Sequence, residues 1–357
     1  MMSSSLSRAL ARPASGLGQA ALRRGYGVCS GSRDTLVAAA NGLQSHVIQP
    51  QRAAVRRSEQ RRQYSIVEQG RSPSALKDTA GRRLYSTPHT TAGEPHISCT
   101  KTNHPAGGVI GTIVVNNVKK LNIVNTELLI QMKGACTSLA TDPNLRAVVL
   151  TGASFPPRPA AFIGGTDISE MHALDSPEEA QIFIHKVHRV CQALRDLPVP
   201  VIARVDGFSL GAGLEIMAAC DLRIASDDSV FGMPEVKLGI PSVVEAALLP
   251  GLIGWGRTRR FLYLAENIDA ETAEQWGLVE KVVDDQDLDQ AVDEWVDKIV
   301  SMGPNAIRIQ KQLIHKWEGS SVDEGIAAGV KAFGEAFEDH AREPKEMLRR
   351  FLNRKRY

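Results

Sequence analysis

Four short runs of mostly apolar, largely β-branched residues set the terms for any fold this chain can adopt: Val109–Val115 (VIGTIVV), Ala147–Leu150 (AVVL), Val201–Val205 (VIARV) and Leu222–Ala225 (LRIA). Each is too short for an ordinary helix and has the composition of a strand. Helical patterns separate them. Thr126–Leu139 places Leu128, Leu129, Met132, Ala135 and Leu139 at helical spacing. A later helix is well punctuated: Ser176 caps it, Pro177 suits its first position, and Glu179 stands where a capping box wants an acid. It runs to about Leu197 and is halted before Pro198 and Pro200. A further helix spans Gly211 to about Cys220, and roughly the last 100 residues are mostly helical. Strands and helices interleaved in this way predict an α/β domain of about 260 residues starting near His96.

Charge divides the chain at the same place. Residues 1–94 hold 14 Lys and Arg against 5 Asp and Glu, whereas the remainder holds 28 against 35, so a basic head precedes an acidic body. An acidic body is a poor general nucleic-acid binder, because phosphate contacts need clustered positive charge. Up to Arg57 every basic residue is Arg and Asp34 is the only acid, in a stretch rich in Ser, Ala and Gly. That composition marks a mitochondrial-type leader and linker over residues 1–95, and it predicts a matrix protein. Arg24-Gly25-Tyr26-Gly27, Arg62-Gln63-Tyr64-Ser65 and Arg83-Leu84-Tyr85-Ser86 each resemble a processing site. A basic tail that is never cleaved is the alternative. No apolar run approaches the ~18 residues of a membrane span. Cys29, Cys99, Cys136, Cys191 and Cys220 are widely spaced, which speaks for buried free thiols rather than a zinc site or a disulfide framework.

Gly207-Phe208-Ser209-Leu210-Gly211-Ala212-Gly213-Leu214-Glu215 has two readings. Gly207 to Gly211 fits the G-x-S-x-G nucleophile elbow, which needs an acid and then a histidine downstream. Only His315 and His340 follow Ser209, both in charged helical segments. Alternatively, Gly211 opens a helix that carries Glu215 one turn in, within an otherwise apolar sequence. A helix start offers unpaired N–H groups and positive potential to an oxygen that gains charge.

The second reading has company. Upstream stands Phe162-Ile163-Gly164-Gly165-Thr166-Asp167-Ile168-Ser169; 20 residues beyond Glu215 stands Glu235, within Phe231-Gly232-Met233-Pro234-Glu235. The three segments, in this order and spacing, resemble the enoyl-CoA hydratase/isomerase (crotonase) family. The likeness covers roughly residues 97–357, including Lys119-Lys120-Leu121-Asn122 and Asp142-Pro143 with Arg146–Gly152. It implies a spiral of β-β-α units, with a catalytic core over 96–290 and a helical C-terminal trimerisation region over 291–357. It implies an acyl-CoA substrate, no metal or other cofactor, and a trimer or hexamer.

By the same resemblance, the N–H groups of Thr166 and Ala212 form an oxyanion hole. Glu215 positions and deprotonates water, and Glu235 exchanges a proton at Cα. Lys120, Leu121, Gly164, Thr166, Asp167, Ile168, Ser169 and Gly211 bind CoA or substrate. Having both glutamates favours hydration of a 2-enoyl-CoA over isomerisation of a 3-enoyl-CoA; a non-catalytic crotonase-like binding protein is the further alternative. The resemblance also departs from the pattern. Hydratases of short straight chains carry a glycine-rich stretch after the second acid, where this chain has Ser242-Val243-Val244-Glu245-Ala246. That change reshapes the acyl pocket for a branched or functionalised chain, with Glu245 in a shaping role or as a third acid. Arg349, Arg350, Arg354, Lys355 and Arg356 are either a CoA neighbour or a solvated charge run. His185 and His188 read as a helix-surface pair, and Trp255–Arg260 as a short basic turn.

Overall fold

The computed structural model describes residues 95–154 and 159–353. The leader, its processing motifs, Cys29, Pro156, Pro157 and Arg354–Tyr357 lie outside the described residues. The first strand, β1 (His96–Asn103), is one that the apolar pattern does not single out, because its residues are half-buried or exposed. It pairs antiparallel with β2 (Val109–Asn116), which α1 (Thr126–Ala140) connects to the parallel strand β3 (Leu145–Gly152).

From β3 the chain repeats one move: a long strand, a three-residue strand in a second sheet, then helix. β3 leads to β4 (Ala161–Ile163), α2 (Ile168–His172) and α3 (Pro177–Arg195). β5 (Val201–Val205) leads to β6 (Phe208–Leu210) and α4 (Ala212–Ala218), and β7 (Leu222–Ser226) to β8 (Val230–Gly232). The chain continues through α5 (Leu249–Leu264), β9 (Asn267–Asp269), α6 (Ala270–Trp276) and β10 (Lys281–Val283). Four helices close it: α7 (Leu288–Ser301), α8 (Pro304–Glu318), α9 (Val322–Glu335) and α10 (Arg342–Leu352). The larger sheet has the order β1-β2-β3-β5-β7-β10 and the smaller β4-β6-β8-β9. This is the spiral of β-β-α units that the resemblance implies.

Burial explains the strand composition. Strands of a parallel sheet covered on both faces are apolar throughout, and alternate residues serve opposite faces. Val148 and Leu150 of β3 join Val201, Ala203 and Val205 in the larger core, whereas Ala147, Val149, Ile202 and Ile224 meet Leu288, Val292 and Val296 of α7. The Ser176 cap forms as expected, its Oγ accepting from Glu179 N at 3.1 Å. The Glu179 carboxylate, however, reaches the N–H of Asp175 rather than that of Ser176. The thiols need one correction: Cys136, Cys191 and Cys220 are buried, but Cys99 is exposed because β1 is an edge strand.

One buried amide pins the bend between β2 and α1. Leu121 and Asn122 both have φ of 54°, the left-handed region that L-residues rarely occupy. Asn122 donates to the carbonyls of Ala153 and Ala161 at 2.8 and 2.6 Å, and accepts from Asn117 N at 2.9 Å. It thereby ties the Lys119–Asn122 segment to the end of β3 and the start of β4. Asn122→Ala strands these buried groups. It is expected to lower unfolding stability by about 2–4 kcal/mol, measured by chemical denaturation; a loss below about 0.5 kcal/mol would show the pin to be redundant.

Candidate active site

The two glycine turns meet. At the first, Gly165 has φ of 119°, and a Cβ there would stand 3.4 Å from the carbonyl oxygen of Leu210, at the end of β6. The backbone around it is fixed on both sides: Gly164 N donates to Leu121 O at 2.9 Å, Val124 N to Gly165 O at 2.8 Å, and Asp167 N to Val124 O at 2.9 Å. At the second turn, Gly211 has φ of 53°. Gly213 follows in α4 so close to β4 that a Cβ would come within 2.0 Å of Ile163 O. Among the described residues no acceptor takes the N–H of Thr166 or of Ala212. Each turn thus presents one unspent donor, and Ala212 adds the positive end of a helix.

The acids stand at the same place. All of α4 is buried, and Glu215 is only 3% exposed. Burial, then the charges of Glu235 and Glu245, push its carboxyl up to about 8, against the pull of the N–H groups of Ala246 and Val243. Glu235 opens the short turn Glu235–Leu238, directly after Pro234. Its Oε1 lies 2.7 Å from where a Cβ on Gly211 would be, and its Oε2 accepts from Ser242 Oγ at 3.0 Å. Burial raises this carboxyl too, opposed by its own N–H and by Ser242. Two carboxylates with raised proton affinity therefore converge where two donors are unspent.

Ser209 is not a nucleophile here. It is fully buried in β6, with its Oγ 3.7 Å from Met217 Sδ, and no histidine is near it among its described partners. The first glycine turn carries Thr166, Asp167, Ile168 and Ser169 into α2, where Asp167 caps the helix by accepting from Ser169 N at 2.9 Å. Lys120 Nζ reaches Asp167 Oδ2 at 3.2 Å, and Leu121 accepts from Gly164, so the Lys120–Leu121 segment sits beside this turn. Ile168 is exposed at 58%. Of the C-terminal basic run, the described Arg349 and Arg350 both pair with Glu346 of their own helix.

One residue that reads as surface in the sequence joins the site's rim. His188 is not merely half of a surface pair; its Nδ1 lies 2.7 Å from Glu245 Oε1. Glu245 is itself buried, in the turn Val244–Leu248, which packs against α4. Asn122 and Ser242 were likewise invisible as supports, because their partners lie 39 and 7 residues away with no local motif. Clefts of about 700 and 630 Å³ open elsewhere, among the C-terminal helices and behind Cys220, and hold neither Glu215 nor Glu235. Chemistry, not volume, marks the site.

Residues 106–357 match the family model described as enoyl-CoA hydratase/isomerase. Among curated proteins, the chain is 36% identical over 250 residues to the short-chain-enoyl-CoA hydratase of Clostridium acetobutylicum, covering 70% of this chain and 93% of that protein. It is 30% identical over 252 residues to the mitochondrial methylglutaconyl-CoA hydratase of Mus musculus, covering 69% and 77%. Among solved structures, the enoyl-CoA hydratase of Bacillus anthracis superposes with a TM-score of 0.65 at 30% identity, covering 71% of this chain and 95% of that one. That of Mycobacterium smegmatis gives 0.66 at 28%, covering 72% and 97%.

The Glu215 shift fixes a stability slope. The folded protein binds this proton more tightly than the unfolded chain does. Its contribution to stability therefore falls as pH rises from the ordinary 4.5 towards about 8, and is flat outside that window. Glu215→Gln removes the slope, so the variant is expected to gain stability over wild type progressively across the window. Denaturation midpoints at its two ends measure this; a difference independent of pH would show that Glu215 titrates normally.

Proposed function

The chain belongs to the enoyl-CoA hydratase/isomerase family, and we propose that Glu215, Glu235 and the N–H groups of Thr166 and Ala212 carry its reaction. The enzyme is an enoyl-CoA hydratase: water adds reversibly across the double bond of a 2-enoyl-CoA thioester. The observation behind the site assignment is the convergence of two carboxyls of raised proton affinity on two unspent backbone donors.

The thioester oxygen gains charge as the enolate-like transition state forms, and the Thr166 and Ala212 N–H groups receive it. In hydration, Glu215 takes a proton from water as its oxygen bonds to Cβ, and Glu235 delivers a proton to Cα. In dehydration Glu235 removes the Cα proton and Glu215 protonates the departing hydroxyl. The pair thus works with one proton between the two carboxylates, and each direction begins with that proton on the opposite glutamate. Lys120 offers the cation beside the Asp167–Ser169 turn that CoA phosphates require.

Finer readings follow from the same ground. Val243, Val244 and Glu245 give the enzyme a pocket suited to a branched or functionalised acyl chain. Residues 1–95 form a mitochondrial leader, a reading that the mitochondrial name of one relative favours. The enzyme is a trimer or hexamer: Val322, Ile326, Val330 and Phe333 form an exposed apolar stripe along α9, of the kind that a second copy covers.

Glu215→Gln and Glu235→Gln are each expected to lower the hydration rate by ~100-fold or more, while Ser209→Ala retains it. Mass spectrometry of products from 2-enoyl- and 3-enoyl-CoA panels checks this by the gain of one water. Conversion of 3-enoyl to 2-enoyl isomers without that gain, or full activity in both glutamine variants, would overturn the assignment.

A further inference from the structure

The two-glutamate chemistry leaves three neighbouring features unused: Glu245, His188 and a strained Val244. Glu245 is 6% exposed, and its Oε2 is buried with no hydrogen-bond partner among the described residues. A buried carboxylate stays ionised only where a partner compensates for lost water. Here the partner is His188, whose Nδ1 lies 2.7 Å from Oε1 and whose side chain, 42% exposed, connects the pair to solvent. Val244, just before Glu245, has φ of 37°, a conformation costly for a β-branched residue and retained only where its surroundings enforce it.

The turn that these residues shape is the one that grips Glu215: the N–H groups of Val243 and Ala246, on either side of Val244 and Glu245, stabilise the Glu215 carboxylate. Charged groups on the packed elements are mostly engaged elsewhere: on α3, Arg189 beside His188 is exposed to solvent and Arg195 pairs with Glu318. On α3, Lys186 is spent on Thr126 at 2.9 Å, and the ring of His185 stands 6.2 Å from that of His188. Cys191, buried beneath on α3, has its thiol pushed up by burial first and then by the charge of Glu245. On α5, Arg257 bonds to Trp276 O, Arg259 lies over the ring of Trp255, and Arg260 pairs with Glu266. From α4 the facing group is Glu215, with Glu235 beyond it.

We propose that Glu245, held by His188, is a positioning residue for Glu215: it locks the 243–246 turn against α4, and its charge governs the pH up to which the two glutamates keep their shared proton. A third negative charge behind the pair makes the last proton harder to lose, so the working protonation state survives to higher pH. The imidazole keeps that charge in place inside the protein. The proposal rests on the two-glutamate reading of the site.

The test is the pH dependence of kcat/KM for hydration of crotonyl-CoA by the full chain, with unfolding temperatures of each variant alongside. Wild type is expected to lose activity as pH rises through about 8, the value to which Glu215 is pushed. Glu245→Gln should move this alkaline limb down by roughly one pH unit, whereas Glu245→Asp, which keeps the charge, should leave it in place. His188→Ala should also move the limb down, because it releases the Glu245 carboxylate from the contact that holds it behind Glu215. This half-exposed position keeps the test available if Glu245→Gln does not fold. A folded Glu245→Gln enzyme with lower kcat but an unmoved limb would reduce Glu245 to scaffolding and overturn the proposal, as would a limb that rises in His188→Ala. Failure of the underlying reading looks different: wild type would show no alkaline limb, or Glu215→Gln would retain one.

Discussion

A single close approach organises the site. Glu235 Oε1 lies 2.7 Å from the position of a Cβ on Gly211, which is closer than real Cβ contacts come. A Cβ there would push the carboxylate tip aside, and it is the backbone, at φ 53° and ψ −125° as β6 turns into α4, that calls for glycine. Gly211 therefore does two things at once. It aims the first N–H of α4 outward, and it admits the second acid over the helix start. With a side chain at 211, the Glu235 carboxylate would have to swing away from the start of the helix that carries Glu215.

Convergence of this kind is costly, and the surrounding bonds show how it is sustained. Two carboxyls in low dielectric, with a third nearby, each resist ionisation, and their proton affinities rise accordingly. That resistance is useful to a reaction that needs one proton held between two bases. Backbone donors from Val243 and Ala246 at Glu215, and the hydroxyl of Ser242 at Glu235, oppose the shift without cancelling it. Among the described residues no cation opposes the raised proton affinity of either glutamate, which suits the mixed protonation that the proposed water addition and removal require.

Legibility in the sequence followed the range of the interaction. Strands whose side chains are buried on both faces announce themselves by composition, which is why VIARV and AVVL read correctly. β1, on the sheet edge with half its residues wet, has no such signature, and three-residue strands such as β4, β6 and β8 are too short to display an alternation. The glycine turns and their acids were readable because each sits in a local motif. Their supports were not. The Asn122 amide bonds to a carbonyl 39 residues away, and His188 meets Glu245 across 57 residues. On a helix, His188 beside His185 looks like surface until the partner turn is folded against it.

The stretch 242–246 shows why the departure from a glycine-rich sequence is more than a change of pocket shape. Glycine would take a left-handed conformation at position 244 without strain, whereas Val244 at φ 37° costs of order 1–3 kcal/mol. Such strain persists only if the ends of the turn are held, and here they are held from three directions. Ala246 N donates to Val243 O at 2.9 Å, Glu245 is fastened to α3 through His188, and the backbone N–H groups of Val243 and Ala246 favour the ionised form of Glu215. A flexible glycine loop could relax away from a charged Glu215; a strained turn fastened by the Glu245–His188 contact is held in place. Rigidity at this point keeps the donors beside Glu215 through the proton transfers proposed for it. The price is a third buried carboxyl, and its electrostatic consequence falls on the very group the turn supports.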